Sequence, residues 1–312
     1  LPIFIPYLES NFEKQVGGND LFSVIAPSPV YVLKNKAFET GKNKTNSDNL
    51  RTDYYAFDDN TAMSYGITSI GFNKYYWADG ETALLNEYTR KNFNDSLATN
   101  NIFNTDSLVY KKISNNGGIE GRELLLKSTL NDTYTRLRIM HYADSVFIIN
   151  IKGAQELVTD ENADIFFNSF RFIKEKYITD VFRSKAESLI KDLQSTDSSR
   201  RSPAIKALAG GFKFPTQDLA LVLNALIYEY PVGIPNTISI PSLLALTIIP
   251  YANEHVFRFI KEQYPLLKNK REDIREQMIN ILSASATMEA YQMLKGFLLN
   301  DPPASAKYDI SL

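Results

Sequence analysis

The chain has 312 residues, 44% hydrophobic and 22% charged, a composition that excludes global disorder. A net charge of −2, with Lys and Arg scattered, excludes the basic footprint through which a general nucleic-acid binder releases counterions. Zero cysteines exclude disulfides, thiolate zinc sites and cysteine nucleophiles, and His141 and His255 alone leave little material for a histidine metal site or triad.

The length predicts two domains, each large enough to bury a core. Residues 1–19 read as a leader segment or the end of an upstream domain. The chain begins at Leu1 rather than Met and stops soon after Pro302-Pro303, so it is expected to be processed or a piece of a longer protein. Residues 20–175 then read as strands around one helix. The apolar run 21–26 is closed by Pro27 and Pro29 and resumes over 30–38. A polar loop follows over 41–49, and the densest basic run, 34–44, reads as loop diluted by Asn, Thr and Glu.

Residues 50–57 and 62–72 predict a hairpin about Asp58-Asp59-Asn60. Asp79 can cap a helix over 79–92, where Ala83, Leu84, Glu87, Tyr88 and Lys91 keep a 3.6-residue spacing. Four strands are predicted at 107–114, 119–130, 134–142 and 145–151. Tight turns at Asn115-Asn116-Gly117-Gly118, Asn131-Asp132 and Ala143-Asp144 force them to pair antiparallel. A short helix at 160–169 and an exit strand at 170–173 close the domain.

From Asp180 onward the β pattern stops. Apolar residues recur at helical spacing over 181–193, 203–208, 217–230, 242–249, 254–264, 271–283 and 288–299, separated by Gly and Pro breakers. Successive helices with short links predict an all-helical bundle or α-solenoid over 176–312, with a HEAT-like stack preferred. The fold class is therefore α+β, an antiparallel sheet with flanking helices, followed by an all-α domain. The longest apolar run, 234–251, is broken by Pro235, Pro241 and Pro250 and falls short of a membrane span, so none is expected.

Three segments of the first half, Phe22-Ser-Val-Ile-Ala-Pro27, Gly118-Ile-Glu-Gly-Arg-Glu123 and Asp164-Ile-Phe-Phe-Asn-Ser-Phe170, together with the order of elements, resemble PsbP-like domains. The resemblance covers residues 20–173. It implies a non-enzymatic adaptor, commonly extracytoplasmic, that docks onto larger partners. This chain lacks the lipobox cysteine of the related bacterial lipoproteins, and its second half lies outside the family pattern.

Local context accounts for most chemistry-bearing residues. Asp58-Asp59 read as a turn, and Glu120 and Glu123 as an exposed strand end with a local ion pair. His141 reads as a half-buried ring held by a hydrogen bond, and His255 as part of a surface helix, since a metal site would want a ligand at position 259, where Phe stands. No metal site and no cofactor are expected, and the glycines form no phosphate cradle because a strand follows Gly117-Gly118. Tyr75, Tyr76 and Trp77, in a loop where large side chains are not forced inward, and Arg136 and Arg138, on one face of a strand, are the candidate partner-binding residues. The expected function is a non-catalytic protein-interaction or scaffolding module of the cell envelope, in the periplasm or at the cell surface. Its partner is an envelope protein or other domains of the same longer chain. The alternative is a hydrolase whose carboxylates, two of Asp58, Glu120, Glu123 and Asp144, meet only in three dimensions.

Overall fold

A computed structural model describes residues 12–17, 20–33, 51–98, 107–173, 180–231 and 239–304, the side chains of 91–98 excepted. These residues divide into two compact units. The first holds those up to Phe72 and from Ala78 to Phe182, and the second holds Asn73–Trp77 together with the residues from Arg183 onward.

The first unit contains two antiparallel sheets. The smaller consists of β1 (Glu13–Gly17), β2 (Phe22–Ala26) and β10 (Arg171–Phe172), with β2 central. The larger has seven strands in the order β3 (Tyr31–Leu33), β4 (Arg51–Asp58), β5 (Met63–Gly71), β9 (Ser145–Gly153), β8 (Tyr134–Tyr142), β7 (Ile119–Lys127) and β6 (Ser107–Asn116). Every pairing is antiparallel, as the tight turns require. Between β6 and β7 the two loop residues Gly117 and Gly118 both have positive φ, 63° and 90°, a backbone that glycine reaches without strain and that matches the twist of the flanking strands.

Helix α1 (Gly80–Ala98) packs on β7 and β8 and is longer than its apolar spacing alone suggests. The opposite sheet face carries the short helix α2 (Gln155–Val158), which meets β8 and β9, and α3 (Glu161–Ser169), which packs on β2. Asp160 caps α3 by accepting the amide of Ala163 at 2.8 Å. Phe22, Val24, Phe147, Ile149, Phe166, Phe167 and Phe170 fill the core between these layers. The Phe-Phe-x-x-Phe segment places three rings there because positions three and four apart share one helix face, and Phe170 follows where the chain leaves the helix. One boundary is corrected. Residues 13–17 are the edge strand of the small sheet rather than part of a leader, a pairing that their mostly exposed Glu-Lys-Gln sequence conceals.

In the second unit α4 (Ala186–Leu193), α5 (Ser198–Ala209), α6 (Leu219–Leu226), α7 (Ile240–Ile248), α8 (Glu254–Leu266), α9 (Glu272–Ala284) and α10 (Met288–Asn300) follow one another. Helix α4 packs on α5 and α6, α7 packs on α5, α6 and α9, and α9 also packs on α8 and α10. Side-chain caps from Asp197, Ser239, Asn253 and Thr287 start α5, α7, α8 and α10. The core is largely aliphatic, with Leu189, Leu193, Val222, Leu226, Leu244, Ile248, Ile260 and Ile281 among its buried members. Among the described residues no helix is long and apolar enough to cross a membrane.

Candidate functional site

Arg136 and Arg138 do not face solvent. They are 5% and 4% exposed, on the sheet face covered by α2 and α3. The reason lies one strand away: Glu123 of β7 is the register partner of Arg138 and is itself fully buried. Arg138 grips the Glu123 Oε2 with Nη2 at 2.7 Å and Nε at 3.1 Å, and Arg136 Nε donates to Oε1 at 3.0 Å. Lys112 Nζ, 3.0 Å away, and the Tyr110 phenol, 3.1 Å away, complete the shell on Oε1. Buried charges persist only when paired and hydrogen-bonded in this way.

The two guanidinium groups also lie over the Phe167 ring, at 4.8 and 5.1 Å. They donate to the carbonyls of Val158 and Phe167 near the ends of α2 and α3, and Arg136 additionally pairs with Asp164 at 2.7 Å. Burial acts to raise the Glu123 carboxyl, but the Arg138 bonds, the Arg136 charge and the Lys112 bond outweigh it and hold the group at about 2. Burial together with the Glu123 charge pushes the Tyr110 phenol up to about 12. A carboxylate held this low and this saturated keeps its charge and pins helices to the sheet.

The other carboxylates do not gather with it. Asp58 closes the β4–β5 turn, accepting the Asn60 amide and the Thr61 hydroxyl. Glu120 pairs locally with Arg122 at 2.6 Å. Asp144 sits in the β8–β9 turn, and the register puts both Glu120 and Asp144 at the end of the sheet opposite Asp58. The local ion pair expected here is thus Glu120–Arg122, while Glu123 is a core residue. Among the described residues no three His, Asp or Glu side chains are placed to hold a metal ion. His141 donates from Nε2 to the Ala143 carbonyl at 2.7 Å.

Tyr75 is likewise no surface anchor. It is 2% exposed and belongs to the core of the helical unit. Its hydroxyl donates to the Asp192 carboxylate at 2.8 Å, which Lys74 and Arg200 also reach at 2.8 and 2.6 Å. The Lys74 bond, with those from Tyr75 and Arg200, overcomes the raising effect of burial and holds Asp192 at about 2. Tyr76 and Trp77 beside it are half-buried. An aromatic cluster near a predicted helix start gives no sign of a partner more than a hundred residues away, which is why the burial was not legible.

The surface that the sequence did not single out lies on the helical unit. Helices α6 and α8 flank a groove of about 440 Å³, with Leu219, Ala220, Leu223 and Phe259 along it and Arg258 and Glu262 at its rim. Helices α8 and α10 flank a second groove of about 740 Å³, floored by Tyr264, Met293, Gly296 and Phe297. A smaller, more polar cleft of about 230 Å³ extends it past Arg258, Lys261 and Glu289. The smaller cleft joins early residues of α8 and α10, Glu254 and Glu289, and the second groove joins late ones, Tyr264 and Phe297, so α8 and α10 run parallel. Arg258 borders two of the clefts.

Gly296 stands out within this face. A helix-interior glycine costs about 0.5–1 kcal/mol against alanine, yet a methyl group built there would meet nothing within 4 Å. No neighbour in the described chain needs the gap.

No family model matches the chain, and no curated protein matches it. Among solved structures, the solution structure of cyanobacterial PsbP (CyanoP) from Synechocystis sp. PCC 6803 aligns with a TM-score of 0.38 at 8% identity, over 55% of this chain and 98% of its own. A crystal structure from Bacteroides thetaiotaomicron VPI-5482 aligns with a TM-score of 0.32 at 12% identity, over 89% of this chain and 78% of its own. Both scores lie below 0.5.

Proposed function

We propose that the chain is a non-catalytic protein-interaction module of the cell envelope, with the face formed by α6, α8 and α10 receiving a partner segment. One observation carries this reading: two neighbouring grooves share α8, their floors are mostly apolar, and Gly296 keeps one of them open. Apolar concavities with a few polar groups at the rim are where peptides and partner helices seat. The most conspicuous ionic cluster, around Glu123, is consumed in holding the first unit together, which favours a binding role over acid–base chemistry. The likeness of residues 20–173 to PsbP-like domains agrees with an adaptor that works outside the cytoplasm.

Site-specific photo-crosslinking in the native cells tests the docking face. A photoreactive residue is placed at Phe259 or Met293, with exposed Leu130 as the control position. A discrete adduct of the same mass from both groove positions, absent at Leu130 and recovered in the envelope fraction, is the expected result. Adducts equal to those at Leu130, or none at either groove position, would overturn the reading.

A further inference from the structure

The seven-stranded sheet carries an exposed aromatic surface of its own. On the face where α1 packs over β7 and β8, strands β3 and β4 present Tyr31, Leu33, Tyr55 and Phe57 outward, with Tyr31 64% and Phe57 50% exposed. Side chains alternate across a strand, so the register fixes which of them are neighbours. Tyr31 pairs with Tyr55, Tyr55 with Gly66, and Gly66 with Asn150, giving one row across β3, β4, β5 and β9. In the adjoining row Leu33 pairs with Asp53, and Asp53 with Thr68.

Gly66 has a steric role in this row. A methyl group there would stand 2.8 Å from both the nitrogen and the oxygen of the Asn150 amide, so the glycine is what allows that amide to lie over the sheet beside Tyr55. The Asn150 amide makes no hydrogen bond within the described residues, so its donors and acceptor remain available at the surface. Asp53 accepts the Thr68 hydroxyl at 2.6 Å and the Arg51 Nε at 2.9 Å, which holds its carboxylate in one orientation on the same face.

We propose that this face of β3, β4, β5 and β9 is a saccharide-binding site. The chemistry of the row matches a pyranose. The C–H face of the sugar stacks on the flat rings of Tyr31 and Tyr55, and a planar amide beside them spans two vicinal hydroxyls, donating to one and accepting from the other. Aromatic area interleaved with fixed planar polar groups suits a ligand that is itself apolar on its faces and polar around its edge. A purely apolar partner would leave the Asn150 amide buried without a hydrogen bond, which is costly.

Affinity electrophoresis of the full chain tests this, in native gels containing glycogen, dextran, xylan, galactomannan or polygalacturonate. Retarded migration in at least one gel is expected. Tyr31→Ala and Asn150→Ala should each weaken it at least tenfold, and Gly66→Ala should do the same by displacing the amide. Tyr291→Ala, an exposed aromatic on α10, should leave it unchanged. Tyr31 is exposed at a strand edge, so an unaltered thermal midpoint for its variant separates lost binding from lost folding. Free migration in every gel would overturn the proposal, as would retardation that survives both Tyr31→Ala and Asn150→Ala. A Tyr31-dependent dimer in sedimentation, with no retardation, would also overturn it and assign the patch to a second copy of the chain.

Discussion

The phenol of Tyr75 donates to the Asp192 carboxylate at 2.8 Å, joining positions 117 residues apart inside the core of the helical unit. A buried hydrogen bond to a charged acceptor contributes about 1.5–3 kcal/mol. Tyr75→Phe should destabilise by about that amount, and Tyr75→Ala, which also leaves a cavity, by about 3–5 kcal/mol. Urea denaturation followed by far-UV circular dichroism checks both. Equal losses for the two variants would show that the ring packs loosely.

Glu123→Gln should be the most damaging single change in the first unit, at about 3–5 kcal/mol, because it leaves Arg136 and Arg138 buried without their shared anion. Acid should reproduce part of the effect. The carboxyl sits at about 2 in the folded chain against an ordinary 4.5, so the stability it contributes is complete above pH 4.5 and is lost as the pH falls toward 2. The unfolding midpoint, measured between pH 6 and pH 2.5, should fall more steeply in the parent chain than in the Gln variant.

Asn116 ends β6 with its amide donating to the carbonyls of Phe167 and Phe170, while Arg171 donates to its oxygen at 2.8 Å. Asn116→Ala strips partners from buried groups at the end of α3 and should cost about 1–3 kcal/mol. Hydrogen exchange should accelerate in α3 and β10 and remain unchanged in α1, which packs on the other face.

Gly296→Ala should raise the stability of the helical unit by about 0.5–1 kcal/mol, since the methyl group meets nothing and the helix gains propensity. If the α8–α10 groove receives a partner, the same change should weaken crosslinking from Met293. A variant more stable than its parent and poorer at capture cannot be explained by misfolding.

Much of this architecture is legible in the sequence because its determinants are local. The β6–β7 hairpin follows from Gly117-Gly118, the start of α3 from Asp160, and the starts of α7 and α8 from Ser239 ahead of Pro241 and Asn253 after Pro250. The alternation in β8 correctly separates Arg136 and Arg138 from Leu137 and Ile139. Alternation reports side, however, not burial. Glu123, which draws both guanidinium groups inward, lies on another strand and itself looks like a solvated strand end. The two grooves were equally hidden, because they depend on which helices become neighbours rather than on any one helix. β1 was missed because an exposed edge strand needs no apolar pattern.

The assignment of Asn73–Trp77 to the helical unit bears on how such a chain can be inherited. A recombination breakpoint near residue 183 would look safe by composition, yet it would hand on the helices without the tyrosine that fills their core and without the lysine that accompanies it. The recipient gene would encode a helical unit with Asp192 buried and short of two partners. The two halves therefore form a single heritable block, and descent should preserve their order and linkage more strictly than their surfaces.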